Sequence, residues 1–363
     1  VRDHRAARRG PSRRVLGALT LLALLAGCAA AAPSPRELAA RPPAVTVPIG
    51  MVGIEDGRSR FRDLFCAVLA ARPRPPGAVP CDRLLHQPPA AIGATATVLR
   101  PPRHRLRVLL VSGFASDCFA SSLGLYADAR AHLETLGWRL QDVPIESLSS
   151  STANAPIIAR EVLAVPLEPD ERLVLLGYSK GTADILEALL RHPEIRSRVG
   201  AVVSVAGAVG GSQLADATPG FFDDLIELGA SDRCGWGDAG AIASLTPSRR
   251  LGQLAAAPLP DGILYASLGD WAPRAEVAAL LRPTWDILAA IDPRNDGQLV
   301  VQDQVIPKGV LLGYARADHF AVALDLLPEA NWTIRLVVER NAFPRDALIE
   351  AILRFVDERL EPA

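Results

Sequence analysis

Short apolar runs, each closed by glycine or a polar turn, alternate along this chain with stretches whose apolar positions recur at helical spacing. Leu173, Val174, Leu175 and Leu176 lead unbroken into Gly177. That length and continuity fit a buried strand. From Thr182 to Leu190 the apolar positions shift to helical spacing and predict a helix. Three further runs predict strands: Arg107 to Val111, Gly262 to Leu268 and Val310 to Tyr314. Arg58 to Ala71 predicts a short helix with Phe61, Leu64, Phe65 and Val68 on one face, and Arg345 to Leu360 predicts an amphipathic helix packed on the sheet.

The junction of the first strand and its helix carries chemistry. Gly177-Tyr178-Ser179-Lys180-Gly181 fits G-x-S-x-G, and strand, sharp turn and helix together make that pattern a nucleophile elbow. In such an elbow the serine Oγ is lifted out of the sheet, and the Lys180 backbone N–H points at a developing oxyanion. The partners are expected in the order serine, carboxylate, histidine. Of the six histidines only His192 and His319 follow Ser179. His192 ends the helix that begins at the serine, about 20 Å along its axis at about 1.5 Å per residue, so His319 is the candidate base. Among the aspartates between them, Asp296 stands in the tight turn Asn295-Asp296-Gly297, where asparagine and glycine let the chain bend sharply around a carboxylate. Asp296 is the expected acid, and Asp270, directly after a strand, is the second choice over Asp286, Asp292, Asp303 and Asp318. Ser112-Gly113-Phe114 follows an earlier strand, and the Phe114 N–H is the expected second oxyanion donor.

From about Val108 to Leu324 the chain resembles the α/β-hydrolase superfamily, and within it the bacterial triacylglycerol lipases and esterases. The resemblance rests on GYSKG at Ser179, on Ala208 to Asp216, on Ser244-Leu245-Thr246 before a helix, and on Asn295-Asp296-Gly297 with a histidine about twenty residues on. It implies an α/β fold with a mostly parallel sheet, helices on both faces and a small cap insertion at about 217–260. Ser112 stands where such lipases carry a histidine before the oxyanion glycine. Ala321 stands where many carry a calcium-ligand aspartate, so no metal and no cofactor is expected.

Arg5, Arg8, Arg9, Arg13 and Arg14 precede a short apolar run, Val15 to Ala26, that ends in Leu25-Ala26-Gly27-Cys28. A basic segment followed by so short an apolar core reads as a secretory signal rather than a span, which needs about 20 residues. The ending resembles a bacterial lipobox, implying cleavage before Cys28 and lipidation of that thiol. The expected layout is therefore signal 1–27, an Ala/Pro-rich tether 28–48, an N-terminal elaboration 49–105 and a hydrolase domain 106–363. The expected place is the bacterial cell envelope. Loss of the signal lowers the 39 Lys and Arg to 33 and the 40 Asp and Glu to 39, which leaves no basic tract for nucleic acid. Cys66, Cys81, Cys118 and Cys234 make an even count in an exported chain and suggest two disulfides, with Cys66–Cys81 and Cys118–Cys234 favoured over the two other pairings. In the cap insertion, Phe221, Phe222, Leu225, Ile226 and Leu228 form a stripe that reads as core-facing ahead of a lid.

The expected function is a lipid-anchored serine hydrolase of carboxylic esters. It would act on small-molecule or lipid substrates and need no obligate protein partner. The alternatives are an acyltransferase on the same fold and a lipoprotein of that shape that binds envelope lipid without turnover.

Overall fold

The computed structural model describes residues 53–73, 77–86, 97–116, 124–217, 237–324 and 342–360. The signal, Cys28, the tether, Cys118, Cys234 and the Phe221 to Leu228 stripe lie outside the described residues.

Among the described residues seven strands form one parallel sheet: β1 (Glu55–Asp56), β2 (Arg105–Val111), β3 (Trp138–Asp142), β4 (Glu171–Tyr178), β5 (Val199–Val205), β6 (Leu264–Asp270) and β7 (Val310–Ala315), in the order β1-β7-β6-β5-β4-β2-β3. The main helices are α1 (Arg58–Ala70), α2 (Arg130–Thr135), α3 (Ser151–Ala164), α4 (Lys180–Arg191), α5 (Pro247–Ala256), α6 (Arg282–Ala289) and α7 (Arg345–Arg359). Side chains alternate across the pleat, and the apolar runs supply both faces. Val108, Leu110, Val174, Leu176, Val203 and Val205 pack with α1, α2 and α7 on one side. Leu109, Val111, Leu173, Leu175 and Val202 pack with α3 and α4 on the other. A parallel sheet covered on both faces demands such continuous apolar strands.

The four strands expected from the sequence are β2, β4, β6 and β7; the structure adds β1, β3 and β5, and it differs from expectation in the burial of α7. That helix does pack on the sheet, but its burial is not confined to one stripe, because α1 also lies against it. Leu348, Ile349, Ala351, Ile352, Leu353, Phe355 and Val356 are all buried, and so are Glu350 and Asp357. Both carboxylates have partners, as buried charge requires. Glu350 meets Arg72 and Arg354, and Asp357 accepts from the His104 backbone N–H. The segment before β2 joins the same core: β1 pairs with β7, α1 contributes Phe61, Leu64, Phe65 and Val68 to the α7 side, and Cys66 is bonded to Cys81.

The connection from β2 runs to β3 at one edge, whereas the connection from β4 runs to β5 in the opposite direction. The strand order thus reverses between β2 and β4, and the loops leaving their carboxyl ends diverge. In open α/β sheets that crevice is where ligands bind.

Candidate active site

Ser179 sits at this switch point, between the last residue of β4 and the first of α4. Its backbone adopts φ 55° and ψ −126°, a conformation that costs a non-glycine residue of order 1–3 kcal/mol. The surrounding packing imposes it. A Cβ on Gly181 would lie 2.0 Å from the Val111 carbonyl oxygen, so only glycine lets α4 start so close to β2. The loop after β2 passes equally near: a Cβ on Gly113 would lie 2.9 Å from the Ser179 Cβ. The backbone next to Phe114 is therefore beside the serine. The Lys180 N–H, at the first turn of α4, belongs to the amides that lack an acceptor within their own helix.

Two loops from the far side of the sheet complete the cluster. The His319 Nε2 lies 2.9 Å from Ser179 Oγ, and its Nδ1 lies 2.7 Å from Asp296 Oδ2. Asp296 is 0 % exposed and His319 5 %. The other oxygen of Asp296 accepts from the Gln298 and Leu299 amides, each at 2.6 Å, which is the tight turn expected around Asn295-Asp296-Gly297. The His319 N–H also donates to the Asp296 carbonyl at 3.0 Å, so backbone and side chain fix the two residues together. The structure brings Ser179, Asp296 and His319 into one line. His192 caps the far end of α4.

Three contributors were not foreseen. Tyr178 donates from its hydroxyl to the His319 carbonyl at 2.6 Å and lies tilted against the imidazole; no spacing rule links residues 141 apart. Asp318 anchors the histidine loop by accepting from the Ala278, Phe320 and Ala321 amides, and burial pushes its carboxyl up to about 6. The Lys180 side chain is 0 % exposed and donates to Asp184 at 2.8 and 2.9 Å, while Asn154 donates to the same carboxylate. This paired charge under the elbow ties α4 to α3.

Asp270 is not the partner of His319. It ends β6, wholly buried, with its backbone clamped by Gln304. One ligand atom each from Asp270, Asp296 and His319 lie within 4.8 Å of one another, the kind of grouping that can hold a metal ion. Both ring nitrogens of His319 are already engaged by Asp296 and Ser179, so the histidine offers the cluster no unengaged nitrogen.

Apolar surface adjoins the line. Phe114 and Ile242 pack on Leu214, Leu288 and Val300, and Phe320 packs with Trp285 on Ala272, Val277 and Leu281. Such a site suits nucleophilic attack on an acyl group by a serine activated by histidine.

No protein-family model and no curated protein sequence matches the chain. Among solved structures, a metagenomic carboxyl esterase matches with a TM-score of 0.78 at 36 % identity, covering 91 % of this chain and 100 % of that one. A Bacillus licheniformis lipase in its mature form matches with a TM-score of 0.51 at 16 % identity, over 72 % of this chain and 95 % of its own. Lipase 1 from Pelosinus fermentans matches with a TM-score of 0.51 at 13 % identity, over 71 % and 100 %. The last two share the fold.

Proposed function

We propose, since this chain belongs to the carboxyl esterases of the α/β-hydrolase superfamily and is a serine ester hydrolase, that Ser179, His319 and Asp296 carry out its reaction. The observation behind this reading is the unbroken line from Ser179 Oγ through both nitrogens of His319 to Asp296. Ser179 Oγ attacks the ester carbonyl while His319 Nε2 takes its proton. Asp296 holds the ring with Nδ1 protonated and stabilises the imidazolium. The carbonyl oxygen becomes an oxyanion facing the Phe114 and Lys180 amides, donors that act without reorganising. Collapse breaks the C–O bond, and His319 returns its proton to the departing alcohol. Water, deprotonated by the same nitrogen, then attacks the acyl-enzyme and frees the acid and Ser179.

The proposal extends to place. The basic, apolar and Leu-Ala-Gly-Cys segments at the start of the chain support export and lipidation at Cys28. A single acyl chain holds a protein only marginally, whereas two give stable attachment. The proposed enzyme is thus an envelope-anchored esterase acting on small-molecule or lipid esters.

A fluorophosphonate probe followed by an acyl-length panel tests the catalytic reading. Labelling confined to Ser179, lost on substitution and accompanied by release of free acid, is the expected result. Labelling that persists in Ser179→Ala would refute the nucleophile assignment. Transfer of the acyl group to an alcohol in preference to water would make the protein an acyltransferase.

A further inference from the structure

Asp270 is a buried carboxyl group that the reaction above leaves without a task. Its side chain is 0 % exposed, and among the described residues neither carboxyl oxygen has a hydrogen-bond donor. The titratable groups that act on it, or that it acts on, are acidic or phenolic. Asp296 and Asp318 face it from the loops after α6 and β7, and Tyr126 and Tyr178 face it from the segment before α2 and the end of β4. His319 lies within the same 4.8 Å grouping, and Arg345 stands near Tyr126. A second full negative charge there would be buried, undonated and beside another carboxylate, a combination costing several kcal/mol. Two carboxyl groups so placed share one proton. The geometry also decides which of them keeps it. Asp296 already accepts two backbone amides and the imidazole N–H, all of which favour negative charge, whereas Asp270 has none. Burial, then repulsion from Asp296, holds the Asp270 carboxyl well above the usual range.

We propose that Asp270 is a neutral carboxylic acid that donates its O–H to the Asp296 carboxylate, a positioning residue that confines a single negative charge to the side of the pair facing His319. It touches neither substrate nor reacting atoms, and it keeps its proton throughout turnover. The clamp from Gln304 to the Asp270 N–H and carbonyl holds the donor at the height of the Asp296 turn. This inference rests on the assignment of Asp296 as the triad acid.

Infrared difference spectroscopy of the full protein at neutral pH tests it directly. A carbonyl stretch of a protonated carboxylic acid is expected in the wild type and is absent from Asp270→Asn. Kinetics give the second reading. Asp270→Leu removes the donor and lowers kcat roughly 10- to 100-fold with KM nearly constant, the scale of one hydrogen bond to a charged group. Asp270→Asn, whose amide N–H replaces the donor, recovers most of that loss. Absence of the infrared band in the wild type overturns the proposal without reference to activity or to folding of any variant. Asp270→Asn as impaired as Asp296→Asn, with kcat lost in both, overturns it too, because Asp270 would then be an ionised acid. The reading of Ser179 as nucleophile stands or falls separately, on fluorophosphonate labelling.

Discussion

Single side chains divide the work at this site by the company they keep. Ser179 and His319 act as a unit, so removing either costs about as much as removing both. Ser179→Ala and His319→Ala are each expected to lower kcat about 10³-fold or more with the fold intact, measured as ester hydrolysis alongside circular dichroism. Asp296→Asn should lose less than those two, because the serine and base survive, yet far more than Asp270→Asn, which keeps a donor toward Asp296. Steady-state kinetics on the four variants rank them. The histidine was legible because only one other histidine followed the serine, and helix geometry removed it. The acid was legible through its turn, since Asn295 and Gly297 flank a carboxylate that accepts the Gln298 and Leu299 amides. The sequence ranked Asp296 above Asp270, and the structure adds the physical reason. Both lie after β6 in the chain or at its end, and only tertiary packing gives one three donors and the other none.

At the scale of elements, the elbow depends on how closely β2, β4 and α4 can approach. Gly181→Ala would drive a methyl group onto the Val111 carbonyl oxygen. The expected result is destabilisation of about 1–3 kcal/mol or more together with loss of activity, read from denaturant midpoints and fluorophosphonate labelling. The α1 segment makes a different demand. Cys66 and Cys81 are joined across 15 residues, and a closed loop of that size removes about 3 kcal/mol of unfolded-state freedom in the chain-entropy account. The double variant Cys66→Ser/Cys81→Ser should show a lower denaturation midpoint than the oxidised wild type, with kcat nearly unchanged, because the bond lies away from the triad line. Periodicity carried β2, β4, β6 and β7 and the helices α1, α4 and α7; β1, β3 and β5 and the other helices were not read from it. Nor was the circumferential burial of α7, because Glu350 and Asp357 read as solvent-facing until Arg72, Arg354 and His104 are seen beside them.

Charge and attachment belong to the whole molecule. Asp270 and Asp318 have carboxyls raised above the ordinary value of 3.8 by burial. Between that value and the raised one the native chain binds more protons than the unfolded chain, so stability falls as pH rises through the window. For Asp318 the window closes at about 6; for Asp270 burial and the neighbouring Asp296 carry it well above 3.8. Asp270→Asn abolishes its share of this dependence. Its Tm should exceed that of the wild type at neutral pH, with the gain shrinking to nothing as pH falls to about 4; a gain independent of pH would contradict the neutral-acid state. Among the described residues no helix is long and apolar enough to cross a membrane. The proposed attachment is through Cys28. Cys28→Ser should move the protein from the membrane pellet to the soluble fraction or block its processing, while the intrinsic activity of the purified protein is kept. Wild-type protein that fractionates as soluble with a free Cys28 thiol by mass spectrometry would defeat the lipid anchor.

Local pattern by itself determined the strands β2, β4, β6 and β7, where the serine sits, and which histidine can reach it, because apolar periodicity, the glycine-flanked turn and chain order act over a few residues or by elimination. Tertiary structure alone decided that the Asp270 carboxyl is buried without a donor among the described residues, that Tyr178 pins the His319 carbonyl, and that Lys180 is buried against Asp184 and Asn154. Each of those depends on desolvation and on donors arriving from distant segments. Burial multiplies the worth of every donor present and the cost of every donor missing, and no residue announces in sequence which donors the fold will bring to it.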